Sequence, residues 1–255
     1  MEQATLAARA KSSAKADNHK RNAGEKQTTT MASRAYNLLR NEIIEGALAP
    51  GTPLRLEVLK ERYGQSFSPI REALNRLNSE KLVQLTALRG FRVAEISVHE
   101  MWDAIETRVL IDTAALELSI LKGDDDWEAS VVGAFHALSK HARRIMANES
   151  GKETADYREL EARHRDFHVS LISANDSKWL TTYSAQLYDQ TERYRRLIVA
   201  GGDEEAITKR NVPGEHQAIM DATLARDTTL ATQLLSEHYR RTGQFIENNF
   251  PSLRP

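Results

Sequence analysis

The chain is 255 residues long, with 40% hydrophobic and 28% charged residues, a globular balance with room for one or two domains with proper cores. It has no cysteine, which excludes disulfides, zinc ribbons, iron–sulfur clusters and thiol nucleophiles. No apolar run approaches the ~18 residues of a membrane span and the N-terminus lacks a signal peptide's apolar segment, so no membrane partner and a cytoplasmic location are expected.

The formal net charge of −1 hides an asymmetry. Residues 1–95 carry 16 Lys and Arg against 10 Asp and Glu, leaving 19 against 26 for the rest. A basic N-terminal part on an acidic body implies an anionic partner for that part alone.

Residues 1–30 offer no hydrophobic face and read as a disordered basic tail. From Met31 the pattern is regular. Ala35, Leu38, Leu39, Ile43 and Ile44 form one helical stripe, ended by Gly46 and a Pro50-Gly51 turn. A short helix follows with Leu56, Leu59 and Tyr63, and Gly64 breaks it. Ser68-Pro69 reads as the next helix start, Ser as N-cap and Pro at the first helical position, leading to Ile70, Ala73, Leu74 and Leu77. Leu82–Thr86 and Phe91–Val93 then read as two strands around the turn 87–90.

Past Ile96 the strand signals stop. Ser97-x-x-Glu100 is a capping box opening a helix to about Lys122. Further helices are predicted at about 127–146, 154–173, 178–199, 206–225 and 228–247. The expected fold is mainly α: an N-terminal winged helix-turn-helix of three helices plus a β-hairpin at 31–95, then an all-α six-helix antiparallel bundle at 98–250.

A helix, a Gly break and a capped helix are the geometry of a helix-turn-helix, whose second helix enters the DNA major groove. Gln65, Ser66, Phe67, Ser68 and Arg71 are then the residues nearest base edges and phosphates. Arg89-Gly90 at the hairpin tip is a wing suited to a minor groove or the backbone. Arg34, Arg40 and Arg55 are further phosphate candidates.

The stretch Ile44-Glu45-Gly46-x-Leu48-x-Pro50-Gly51-x-x-Leu54, then Ser66-x-Ser68-Pro69-Ile70-Arg71-Glu72-Ala73-Leu74-x-Arg76-Leu77, then Arg89-Gly90-Phe91-x-Val93 resembles the winged helix of the GntR family. That resemblance assigns DNA contacts to Ser66, Ser68, Arg71, Arg89 and Gly90. One departure matters: the family commonly has Arg where this chain has Phe67. A bidentate guanine contact is then replaced by an apolar one such as a thymine methyl, so an operator cannot be borrowed from relatives that keep the Arg.

The histidines of the helical part carry a second signal. His164 and His168 are i, i+4 and share one helix face. His216 and His238 are equidistant from Asp227, the expected N-cap at the turn between the last two helices, so an antiparallel hairpin sets them at one height. Two such pairs across a bundle core could hold Zn²⁺, Ni²⁺ or a similar ion. His99, His136 and His141 have no such partners.

Arg108-x-x-x-Asp112-x-x-Ala115, Phe167-His168-x-x-Leu171-x-x-x-Asn175, Glu215-His216-x-x-Ile219-x-x-Ala222 and His238 resemble the ligand-binding (FCD) domain of the FadR subfamily of GntR regulators. Many members hold a divalent metal with Asp or Asn, a His four residues later, and two more His. The last three map to His168, His216 and His238. The first maps to His164, which is no carboxylate, so three histidines with water and four histidines are both open, with Glu161 and Asp166 as acceptors behind them. Trp127-Glu128, His136-x-Leu138-Ser139-Lys140 and Arg193-Tyr194-Arg195 are similar to the branch containing the repressor of glutarate and carbon-starvation genes.

The resemblance implies a non-enzymatic, metabolite-responsive repressor with a divalent metal, zinc foremost, that leaves its operator when a small carboxylate binds the metal-containing pocket. Arg108 would grip the carboxylate in a fork, with Arg195 and Asn175 as further candidates; the other reading of Arg108 is an ion pair with Asp112. A homodimer on a palindromic double-stranded operator is expected, because one winged helix has a small base-contact footprint. Two rivals stand beside this: a metal-dependent hydrolase with Glu161 as general base, and a DNA-binding protein whose helical part only dimerises.

Overall fold

The computed structural model describes residues 30–147, 154–200, 210–250 and 253. The basic tail at 1–29 and the expected helix start at 206–209 lie outside these residues.

Three helices come first: α1 (Met31–Ile44), α2 (Leu56–Tyr63) and α3 (Phe67–Ser79). The Thr30 hydroxyl accepts the Ser33 amide at 3.1 Å and so satisfies one of the orphan donors that open α1. Gly64 closes α2 at φ 63°, a left-handed conformation that suits glycine. The start of α3 differs from the sequence expectation. Ser66, not Ser68, is the N-cap, and Pro69 sits inside the first turn, where its missing N–H has no helical partner to lose.

Strands β1 (Val83–Thr86) and β2 (Gly90–Val93) pair antiparallel, with Val83 opposite Val93 and Thr86 opposite Gly90. Leu39, Leu59, Ile70, Leu74, Leu77 and Val93 are buried in one core beneath helices and hairpin.

Six helices follow: α4 (Val98–Lys122), α5 (Asp125–Ala147), α6 (Thr154–Leu171), α7 (Lys178–Ala200), α8 (Val212–Leu224) and α9 (Thr228–Asn249). Ser97 caps α4 through the Glu100 amide at 3.1 Å, and Asp227 caps α9 through the Leu230 amide at 3.0 Å, both as expected. Packing pairs α5 with α6, α4 with α7 and α9, and α8 with α9. Gly243 lets α9 press onto α4: a Cβ there would lie 2.6 Å from Ile105 Cδ1. The bundle core, including Met101, Leu116, Phe167, Leu171, Ile219 and Leu235, shares no residue with the first.

The two cores meet along α7. Asp189 takes Arg40 of α1, Gln190 Nε2 donates to the Glu80 carbonyl at 2.7 Å, and Arg196 Nε donates to the Glu45 carbonyl at 3.2 Å. Arg40 therefore leaves the set of phosphate candidates, because its guanidinium is spent on Asp189.

Candidate functional site

Helices α6, α8 and α9 bring four histidines to one point. His164 and His168 come from successive turns of α6, His216 from α8 and His238 from α9. One ring nitrogen from each lies within 4.8 Å of all the others. His168, His216 and His238 are buried, and His164 keeps slight exposure.

The surrounding hydrogen bonds fix which nitrogen faces inward. Tyr239 Oη donates to Asp112 Oδ2 at 2.7 Å and accepts from Arg108 Nη2 at 3.0 Å, so it receives the Nδ1–H of His168 at 3.2 Å. Glu215 Oε2 takes Nδ1–H of His238 at 2.7 Å. Tyr188 Oη, donating to Glu161, stands 2.8 Å from His164 Nδ1. With Nδ1 as the protonated nitrogen in these three rings, their Nε2 lone pairs are left for the centre.

Two observations fit a metal. His164 and His168 set their Nε2 atoms 3.1 Å apart, close to the ~3.3 Å that separates two nitrogens each ~2.0–2.1 Å from a tetrahedral ion. His216 Nε2 is buried with no hydrogen-bond partner, and an orphaned buried acceptor costs free energy unless something occupies it. All four rings are also held neutral, the form that ligates. Burial pushes His164, His168 and His216 well below their usual range, with neighbouring arginines and histidines adding to it. Burial likewise takes His238 down to about 4, against the pull of Glu215. Glu215 itself, despite burial, is held down to about 2 by His238 and Arg210.

The partners behind the rings were only partly anticipated. Glu161 is at the site, 3.0 Å from Arg195 Nη2 and 3.9 Å from His164 Nδ1, but Asp166 is exposed. Glu215, Tyr188 and Tyr239 do the holding instead. The signal for Glu215 was its place beside His216; nothing in the local sequence marks the two tyrosines.

A cavity of about 20 Å³ adjoins the histidines, lined by Arg108, His164, Thr191, Arg195, His238 and Tyr239 with an apolar wall from α4 and α9. That volume suits about one water. Arg108 Nε meets Asp112 at 3.0 Å, and its two Nη atoms reach Thr191 and Tyr239 at 3.0 Å each. Arg108 thus makes the ion pair with Asp112, while Thr191 and Tyr239 hold its two Nη atoms beside the cavity. Arg195 pairs with Glu161, and its Nε is buried without a partner. Asn175 stands apart from the cavity lining. Its Nδ2 donates to the Ile172 carbonyl, and its Oδ1 accepts the Ser177 amide at 2.7 Å, shaping the α6–α7 turn.

The N-terminal part carries the other candidate surface. Arg34, Arg55, Ser66, Phe67, Ser68, Arg71, Arg89 and Gly90 are all exposed. Arg55, Arg71, Arg89 and Gly90 line one groove between α3 and the wing, joined by Arg92; Arg34 lies outside it. Gln65, expected among the readers, is buried instead. Phe67 stays open to solvent with Lys60 Nζ 5.0 Å from its ring centre. The wing tip turns through Gly90 at φ 74°, and Leu88 projects fully into solvent.

Among the described residues no helix is long and apolar enough to cross a membrane. Residues 31–93 match the family of bacterial regulatory proteins called gntR, and residues 103–241 match the FCD domain. The chain is 41% identical to the HTH-type transcriptional regulator BphR of Paraburkholderia xenovorans, over 82% of each chain. It is 32% identical to the HTH-type transcriptional repressor GlaR of Escherichia coli, over 80% of this chain and 90% of GlaR. The solved structure of E. coli McbR/YncC shares the fold, with TM-score 0.70 at 19% identity over 87% of this chain and 99% of that one. These relatives are regulators, not enzymes, which removes the hydrolase reading. With its winged helix-turn-helix head and helical FCD body, the chain belongs to the GntR family of transcription regulators.

Proposed function

We propose that this regulator is a metal-dependent sensor of a small carboxylate, a repressor that leaves a palindromic operator when the carboxylate enters the cavity beside the four histidines. The observation that carries the reading is the unpartnered, buried His216 Nε2 facing three other neutral imidazoles. His164, His168, His216 and His238 would hold a divalent transition ion, zinc foremost. Bound there, the ion would offer a carboxylate oxygen a Lewis-acidic position either as a fifth ligand or in place of His164, whose position is the one a carboxylate ligand takes in the resembling domains.

Charge argues for the class of effector. Four neutral rings leave the ion's two charges uncompensated, because His164 stands where a carboxylate ligand would have removed one. Arg108 and Arg195 already have anions in Asp112 and Glu161. A dicarboxylate restores neutrality in this low-dielectric place better than a monocarboxylate.

The route to DNA is α7. A carboxylate of several carbons exceeds the room for one water, so Thr191 and Arg195 must give way. The same helix holds the head through Asp189, Gln190 and Arg196. An effector that favours a shifted α7 thereby favours a different head arrangement, which is the differential affinity a switch needs. On DNA, Arg55, Arg71, Arg89 and Arg92 supply phosphate and base contacts, Phe67 an apolar one, and a dimer supplies two half-sites.

A thermal-shift series of the metal-loaded protein against dicarboxylates, hydroxy acids and aromatic acids tests the reading. A dicarboxylate is expected to stabilise the protein, and the same compound to release it from selected operator DNA. Stabilisation by no acid at millimolar concentration contradicts the sensor reading.

A further inference from the structure

The wing turn holds a residue that neither the backbone nor water favours. The Arg89 amide donates to the Thr86 carbonyl at 3.1 Å and closes a four-residue turn between β1 and β2. Leu88, the third residue of that turn, sits at φ 63°. Positive φ at this position calls for glycine or asparagine, because another side chain crowds its Cβ against the following carbonyl. The leucine is also more exposed than any other large hydrophobic side chain among the described residues, at 107% against 77% for the next.

The other strained positions have local reasons. Among the described residues four non-glycines take positive φ: Lys81, Leu88, Asp176 and Arg226. Asp176 Oδ2 accepts Lys122 Nζ at 3.3 Å. Arg226 Nη1 and Nη2 donate to the Ile120 and Gly123 carbonyls at the end of α4, at 2.5 and 3.0 Å. Lys81 carries its charge in solvent. Leu88 alone joins a strained backbone to an apolar side chain, and at full exposure it packs on nothing in the fold. Such an outlier points to a partner outside the molecule.

The charges around the turn identify that partner. Arg55, Arg71, Arg89 and Arg92 line the groove beside it, with Glu57 and the exposed Leu85. None of the four guanidiniums is spent on an ion pair among the described residues, so the groove presents free cations to a polyanion. Leu88 directly precedes Arg89, and an Arg89 that reaches DNA carries the leucine to the same place. In a minor groove an apolar side chain is buried by entering between base pairs, which partially unstacks one step and kinks the duplex. Pyrimidine–purine steps unstack most easily.

We infer that Leu88 is a wedge, which the wing inserts at a flexible pyrimidine–purine step in the minor groove of each half-site. The inference rests on the winged-helix reading of DNA binding and adds to it a position chosen by deformability, with no hydrogen bond to a base edge. In the free protein the leucine is a cost to the turn. On DNA its burial offsets the unstacking.

The test uses full-length protein and the operator recovered by selection with it. The duplex carries a dye pair at its ends to read bending by energy transfer, and 2-aminopurine moved along each half-site to read unstacking. The wild type should bend the duplex by about 20° or more and brighten 2-aminopurine at one pyrimidine–purine step. Leu88→Met should keep both signals. Leu88→Asn and Leu88→Gly suit the turn and should raise Tm by roughly 2–4 °C. The same two variants should bind operator about tenfold more weakly and lose both signals, with the salt dependence unchanged because Arg89 remains. Bending and brightening undiminished in Leu88→Asn overturn the wedge and leave DNA binding standing. Weaker binding with both signals kept also overturns it, since Leu88 would then touch the duplex without entering it. A wild-type chain that binds no duplex in the selection overturns the winged-helix reading as well.

Discussion

Arg40 of the DNA-reading head and Asp189 of the pocket helix form a two-pronged ion pair, Nε to Oδ2 at 2.9 Å and Nη2 to Oδ1. Asp189 also accepts Arg165 Nη1 at 2.5 Å, so one carboxylate holds two guanidiniums from different parts of the molecule. On the adjoining turns Tyr188, Thr191 and Arg195 face the histidines and Arg108. A displacement of α7 at the pocket thus reaches the head through side chains a single turn away.

Asp189→Asn leaves two guanidiniums without their anion. A loss of roughly 1–3 kcal/mol is expected in chemical denaturation, less than for a fully buried pair because the arginines retain some solvent. The carboxylate should still bind the pocket, but its effect on operator affinity should shrink. Undiminished release in this variant would remove Asp189 from the coupling route.

Metal removal should make acid sensitivity visible. In the folded, metal-free chain the four rings protonate well below their ordinary 6.5, His238 at about 4. Unfolded, they protonate near 6.5. Below that pH the unfolded state binds protons that the folded state refuses, so stability falls as pH drops from about 6.5 toward 4. The slope approaches ~1.4 kcal/mol per pH unit for each ring. Thermal melts from pH 7.5 to 4.5 should show this fall, and His216→Ala should lessen it.

Arg108 needs a paired design, because Arg108→Ala strands the buried Asp112 and should cost roughly 3–5 kcal/mol by itself. The double substitution Arg108→Gln, Asp112→Asn removes both charges together. It should keep fold and metal while weakening carboxylate binding at least tenfold by calorimetry. Unchanged affinity would show Arg108 to be structural.

On DNA, Arg71→Ala should cost about 1–3 kcal/mol and relax the preference at one base pair, and Arg89→Ala should weaken all sequences while lowering the salt slope by about 1. Phe67→Arg should enrich guanine at one position of each selected half-site. Selection returning the wild-type sequence would show that Phe67 does not touch the bases.

The histidine centre was legible where helical periodicity and a cap fix geometry. His164 and His168 share a face by spacing alone, and Asp227 fixed the α8–α9 turn, which set His216 opposite His238. Tyr188 and Tyr239 were not legible as partners, because the rotation of α7 and α9 about their axes follows from packing of the whole bundle, and Glu215 had only its place beside His216 to mark it. Arg40 read as a phosphate ligand because an arginine on an amphipathic helix looks alike whether it faces DNA or a second domain. Ser68 read as a cap because Pro69 follows it, yet proline is tolerated anywhere in a first turn, and the chain enters α3 two residues earlier. Asn175 read as a pocket residue from a family pattern that a turn-forming asparagine satisfies equally well.

The most direct measurement is the affinity for selected operator DNA, by fluorescence anisotropy, with and without the stabilising dicarboxylate, in metal-loaded protein, chelator-stripped protein and His216→Ala. The expected result is a fall of tenfold or more with the dicarboxylate in the loaded protein and none in the other two. Equal release in all three would contradict a metal-dependent sensor.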